Sequence, residues 1–156
     1  MKGINVNSNA TRVVVALAIS LIMAVTAATM AGAAAYTKSV YPPDRINSST
    51  LRSWADLSRD CSGTVGCYNY MKIERKRAWG PEFVAGNWAN ANGWNSLTTS
   101  QPAGCYDYRT VVDSYNDYAG GHGSGVNVGQ VGTASNGTKV FRFRTTWSSG
   151  WKRYCR

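Results

Sequence analysis

Histidine is nearly missing from this chain: its 156 residues include one, His122, inside the stretch GGHGSG. A histidine base needs a nucleophile or carboxylate beside it and a third group to orient it. Ser124 is close in sequence, but a run of glycines gives it no rigid placement, so His122 reads as a solvated loop residue. Carboxylates are scarce too: Asp44, Asp56, Asp60, Glu74, Glu82, Asp107, Asp113 and Asp117. Paired-carboxylate glycosidase chemistry needs two of them at a fixed separation. Asp107 and Asp113 stand too far apart along an extended strand. Asp113 and Asp117 could meet across a turn, but solubility explains them as well. No G-x-S-x-G elbow occurs, and the glycine-rich stretch matches no Walker sequence. Neither CxxC nor His-x-x-x-His is present to hold zinc. Recognition patterns for nucleic acid are missing as well. We therefore expect no catalytic residue, no metal, no cofactor and no specific nucleic-acid partner. A minimal hydrolase on His122 or on Asp113 and Asp117 is the least favoured reading.

Charge is absent from Val13 to Met30, after a polar start carrying Lys2 and Arg12. The small residues Ala31-Gly32-Ala33 and Ala33-Ala34-Ala35 follow. A charged start, an apolar middle and a small-residue exit describe a secretory signal peptide over residues 1–35, cleaved before Tyr36. An uncleaved anchor is the alternative, since the run approaches the length of a spanning helix. Its Ala and Thr content and the A-x-A sites favour cleavage, and secretion. The full chain has seventeen basic and eight acidic residues. Without Lys2 and Arg12, fifteen against eight remain, a net charge of +7. No membrane association is expected after cleavage.

All four cysteines, Cys61, Cys67, Cys105 and Cys155, follow the leader. An even count in an exported chain reads as two disulfides. The favoured pairing is Cys61–Cys67 with Cys105–Cys155; Cys67–Cys105 with Cys61–Cys155 is the rival.

Residues 36–60 read as a tether and a short helix. Pro42 and Pro43 lack N–H groups and interrupt regular structure. Leu51, Trp54 and Leu57 then recur at helical spacing after Ser48, Ser49 or Thr50 as N-cap. Trp54 there packs on the domain or docks a partner. Residues 61–156 form the disulfide-stabilised β domain. Tyr68, Tyr70, Lys72 and Glu74 alternate with Cys67, Asn69, Met71 and Ile73. Tyr106, Tyr108, Thr110 and Val112 share a face of another strand. A short, glycine-weakened strand fits Val126–Val131. Phe141, Phe143, Thr145 and Trp147 share a face of a further strand, and Trp151–Cys155 gives the last. Asn92-Gly93 and Asn136-Gly137 predict type I′ hairpins. Phe141, Phe143, Trp147, Tyr106 and Tyr108 are the expected core. The whole is an all-β fold: a small antiparallel β-sandwich or partly open barrel with two disulfides.

Two signals remain for function. Basic residues cluster in KIERKR, in FRFR as Arg142 and Arg144, and at the C-terminus. Arg on both faces of KIERKR implies that this strand end projects into solvent. Such a domain attracts polyanions non-specifically by its field, although charge also protects strand edges. Trp88, Trp94 and Trp151 sit among Asn, Gly and Ser in turn-like settings. Their flat rings suit stacking on sugars or anchoring a protein, at low entropic cost; capping a small core is the plainer alternative. The candidate ligand-binding residues are therefore Trp88, Trp94, Trp151, Arg142 and Arg144.

The runs CYNYMKIERKRAWGP, YRTVVDSYND and TKVFRFRTTWSSGWKRYC resemble small secreted cysteine-containing β-domain proteins of actinomycetes, over about residues 60–156. The resemblance implies export and a β fold; it implies no activity and brings no catalytic residues. The expected function is a secreted non-enzymatic binding protein at the cell envelope or outside the cell. Its partner would be a polysaccharide, an anionic polymer or a protein. A small secreted antagonist, either a cationic antimicrobial toxin or a protease inhibitor, is the alternative.

Overall fold

The computed structural model describes residues 35–89 and 91–156; the expected signal peptide, apart from its last residue Ala35, lies outside them. Nine strands follow in order: β1 Ala35–Asn47, β2 Thr50–Arg59, β3 Gly66–Arg77, β4 Gly80–Ala89, β5 Gly93–Ser100, β6 Cys105–Ala119, β7 Val126–Thr133, β8 Lys139–Ser148 and β9 Lys152–Cys155. They form two sheets. The smaller has the order β1-β2-β5; the larger has β4-β3-β6-β8-β7, with β9 paired to the start of β6. Every pairing is antiparallel. The all-β expectation holds, as does the favoured disulfide pairing, Cys61–Cys67 and Cys105–Cys155.

The expected tether and short helix are strands instead. Leu51, Ser53, Ala55 and Leu57 are all fully buried, a strict period of two. Ser53 and Ala55 are small, so the large residues Leu51, Trp54 and Leu57 imitate a helical stripe. Trp54 lies on the opposite face, with the Arg52 guanidinium 4.1 Å over its ring. Asn47 closes the β1–β2 turn by accepting from the Ser49 amide at 2.9 Å. Pro42 and Pro43 do not stop β1, because it is an edge strand and its register shifts between Tyr41 and Asp44. Missing N–H groups cost little there.

Asn92-Gly93 is not a hairpin. β4 belongs to the larger sheet and β5 to the smaller, so this corner carries the chain between layers; Gly93, at φ 85°, supplies the left-handed backbone. Asn136-Gly137 does join neighbouring strands, β7 and β8. The Ser148-Ser149-Gly150 stretch joins β8 to β9 without reversing the chain. β8 and β9 both run antiparallel to β6, so they line one side of it in succession. Ser149 bridges the break, donating its amide to the Thr110 carbonyl and accepting from the Thr110 amide through Oγ.

The core fills the space between the sheets. Leu51, Ala55 and Leu57 from β2 meet Met71 and Ile73 from β3, and Tyr108 and Val112 from β6. A polar seam runs through it. Thr110 Oγ1 donates to Ser53 Oγ at 2.9 Å, Ser114 Oγ to Asn69 Oδ1 at 2.7 Å, and Asn69 Nδ2 to the Ser58 carbonyl at 3.1 Å. Such buried groups are tolerated because each has a partner. Of the expected core, Tyr108 and Phe143 are buried, while Tyr106 and Phe141 are half-buried. Trp147 is 44% exposed, which corrects its assignment. The smaller sheet rests on β3 and β6, and the larger sheet is wider, so the outer strands overhang. Val126, Val128 and Val131 of the edge strand β7 are exposed too.

Candidate binding surface on the larger sheet

Side chains paired across an antiparallel sheet share a face. Tyr68 pairs with Tyr115, and Tyr115 with Arg144; Tyr70 pairs with both Asp113 and Trp88. These residues therefore stand together on the outward face of the larger sheet. Trp88 packs edge to face with Tyr70 at 5.0 Å and Tyr68 at 6.2 Å between ring centroids, and Tyr115 lies tilted against it at 6.0 Å. Edge-to-face packing of this kind fixes each ring.

Arg142 completes the cluster. Its guanidinium lies 5.2 Å over the Tyr68 ring and 5.9 Å over that of Tyr115. It also donates twice to Asp117, from Nε at 2.7 Å and Nη2 at 2.8 Å. Hydrogen bonding to Asp117 raises the Arg142 pKa. Arg59, at the end of β2, reaches the same place and donates from Nε to the Cys67 carbonyl at 3.1 Å. Arg59, Tyr68, Trp88 and Arg142 line a cavity of about 410 Å³, within the usual range for small-molecule sites.

Local covalent structure explains this convergence. The Cys61–Cys67 disulfide closes a loop of which Val65 donates its amide to the Asp117 carbonyl at 2.8 Å. Arg59 lies two residues before that clasp and Tyr68 one residue after it. On β4, a Cβ at Gly86 would collide with the Tyr70 hydroxyl and come within 2.9 Å of Phe83. Gly86 thus leaves room for the ring that supports Trp88.

An ion-pair ladder continues from the cavity. Asp113, nearly fully buried, accepts from Lys72 Nζ at 3.0 Å and from Thr146 Oγ1 at 2.5 Å. Lys72 also lies 3.5 Å from Glu74, and Glu74 accepts from Arg109. Burial pulls the Lys72 pKa down, but Asp113 and Glu74 outweigh it, so the net shift is upward. Arg109 lies 4.6 Å over the Trp151 ring.

The sequence candidates are thus only partly gathered. Trp88 and Arg142 line one cavity. Arg144 is exposed on the same face, opposite Tyr115. Trp151 lies at the far end of the ladder, under Arg109. Trp94 is elsewhere: it belongs to β5 of the smaller sheet and packs on Tyr41 at 5.6 Å. Arg59, Tyr68, Tyr70 and Tyr115 are the residues that sequence reasoning did not single out. Their signal was the Tyr68/Tyr70 alternation, but its partners are set by pairing between distant strands.

The basic run KIERKR does not simply project into solvent. Arg75 and Arg77 lie 4.9 and 5.1 Å over Tyr106 and share Glu82. Asp113 and Asp117 each hold a different cation, and His122 is exposed in the β6–β7 loop. Among the described residues, no group of three or more His, Cys, Asp or Glu gathers to hold a metal. They also contain no helix long and apolar enough to cross a membrane. Two disulfides suit an oxidising environment. Comparison with family models, curated proteins and solved structures gives no match.

Proposed function

We propose that the chain is a secreted, non-enzymatic binding protein that takes an acidic sugar unit of an envelope or extracellular polymer. The observation that carries this reading is the cavity itself, where two guanidinium groups and two aromatic rings converge. Flat rings stack on the apolar faces of sugars, and guanidinium edges donate in pairs to a carboxylate. Asp117 decides between anions. Its carboxylate already takes two donors of Arg142, so the cavity offers hydrogen bonds with little surplus charge. A densely charged polyphosphate would meet that carboxylate. A sugar with one carboxylate and several hydroxyls asks for few cationic contacts and matches that balance better.

The test is calorimetric titration with glucuronic acid, galacturonic acid and their neutral parent sugars. Binding of a uronic acid, absent for its neutral parent and lost in Trp88→Ala, supports the reading. Equal binding by Trp88→Ala overturns it.

A further inference from the structure

We infer that the ligand is a chain spanning two acid-reading subsites, the cavity at Arg142 and a second at Arg109 over Trp151. The inference rests on the cavity reading above. It is carried by a repeated arrangement on the outward face of the larger sheet. At one end, Arg142 lies over Tyr68 and is paired with Asp117. At the other, Arg109 lies over Trp151 and is paired with Glu74. Each end has a guanidinium that lies over a ring and is paired with a carboxylate.

Strand pairing fixes their relation. Asp117 and Arg109 both lie on β6, eight residues apart and on the same face. At ~3.4 Å per residue the two positions are about 27 Å apart. That span exceeds one sugar unit several times over. Between them lie Lys72 and Asp113, paired at 3.0 Å. Along this stretch each cation is paired with a more deeply buried carboxylate, so the row presents donors without strong net charge. A hydroxyl-rich chain with acidic units at intervals matches this row better than a chain charged at every unit.

Two linked subsites give a dependence on chain length, because the second contact becomes intramolecular once the ligand can span both. The experiment is titration of the protein with hyaluronan oligosaccharides of two to twelve sugars. Oligogalacturonides, charged at every unit, and neutral chito-oligosaccharides run in parallel. Affinity is expected to step up at least tenfold once the hyaluronan chain spans the face. Trp151→Ala should abolish that step and leave the affinity of short oligomers unchanged; Trp151→Leu, which keeps apolar bulk under Arg109, should do the same if the alanine variant unfolds. Trp88→Ala should weaken short and long chains alike.

Affinity independent of length, or equal loss at all lengths in the Trp151 variants, overturns the chain inference and leaves the cavity reading intact. A larger step for oligogalacturonides contradicts the spaced-acid pattern. Absence of binding in all three series at millimolar concentration overturns both readings.

Discussion

Trp88 and Arg142 meet through two rings: Tyr68 lies 6.2 Å from the indole with the guanidinium 5.2 Å over it, and Tyr115 lies 6.0 Å from the indole with the guanidinium 5.9 Å over it. None of these distances is set by sequence proximity; β4, β3, β6 and β8 must all be in register. Tyr68→Leu removes the shared ring nearer the guanidinium and keeps an apolar side chain. We predict at least a tenfold loss of affinity for the acidic sugar. The half-buried ring contributes modestly to stability, so the midpoint of thermal unfolding should fall by only a few degrees, roughly 5 °C per kcal/mol lost. Calorimetric titration and thermal melting measure the two separately.

Gly86→Ala places a methyl group where the Tyr70 hydroxyl lies. That hydroxyl is the far end of a rotatable side chain, so the ring swings away and the backbone is spared. Binding should weaken while the unfolding free energy changes by less than about 1 kcal/mol. A large loss of stability in urea titration, with affinity preserved, would show that Gly86 serves the fold instead of the aromatic cluster.

The two disulfides should separate stability from binding. Cys105 and Cys155 stand directly opposite on β6 and β9 and are 50 residues apart in sequence; Cys61 and Cys67 are six apart. Loop entropy predicts that removing the long bridge costs about 4 kcal/mol and the short one about 2. The short clasp, however, holds the segment between Arg59 and Tyr68. Replacing Cys61 and Cys67 by serine should therefore reduce affinity more, and replacing Cys105 and Cys155 should reduce stability more. Urea unfolding and titration of both variants give the comparison.

Lys72 supplies the cation for nearly buried Asp113. Its folded pKa is raised above the ordinary 10.5, since Asp113 and Glu74 outweigh desolvation. Its contribution is therefore complete below pH 10.5 and lost as pH rises through the folded value. Lys72→Met leaves Asp113 without its cation and should cost about 2 kcal/mol at neutral pH. Urea titrations from pH 8 to 12 should show an alkaline loss in the wild type that is reduced in this variant.

The parts of the fold legible in sequence are those where alternation is written in large side chains. In β3, Tyr68, Tyr70 and Lys72 oppose Cys67, Asn69 and Met71, and the observed burial follows that pattern. In β2 the inward positions include Ser53 and Ala55, whose small size hides the period and lets Trp54 suggest a helix. The period of β8 points Trp147 to the core, but coverage depends on the width of the opposing sheet, a property of no single strand. The turn chemistry of Asn92-Gly93 is local; which sheet receives β5 is not. The same division applies to the site. Trp88 and Arg142 stand out by residue type, whereas their meeting with Arg59 and Tyr68 depends on pairings among distant segments and on one disulfide.

The most direct measurement is binding of the protein to an acidic glycan at low and high salt, with wild type beside Trp88→Ala. A cavity that reads shape and stacking should retain most of its affinity at high salt and lose it in the variant. If binding instead falls equally on every polyanion as salt rises, and Trp88→Ala behaves as wild type, the net positive field accounts for the binding and the cavity is not its site.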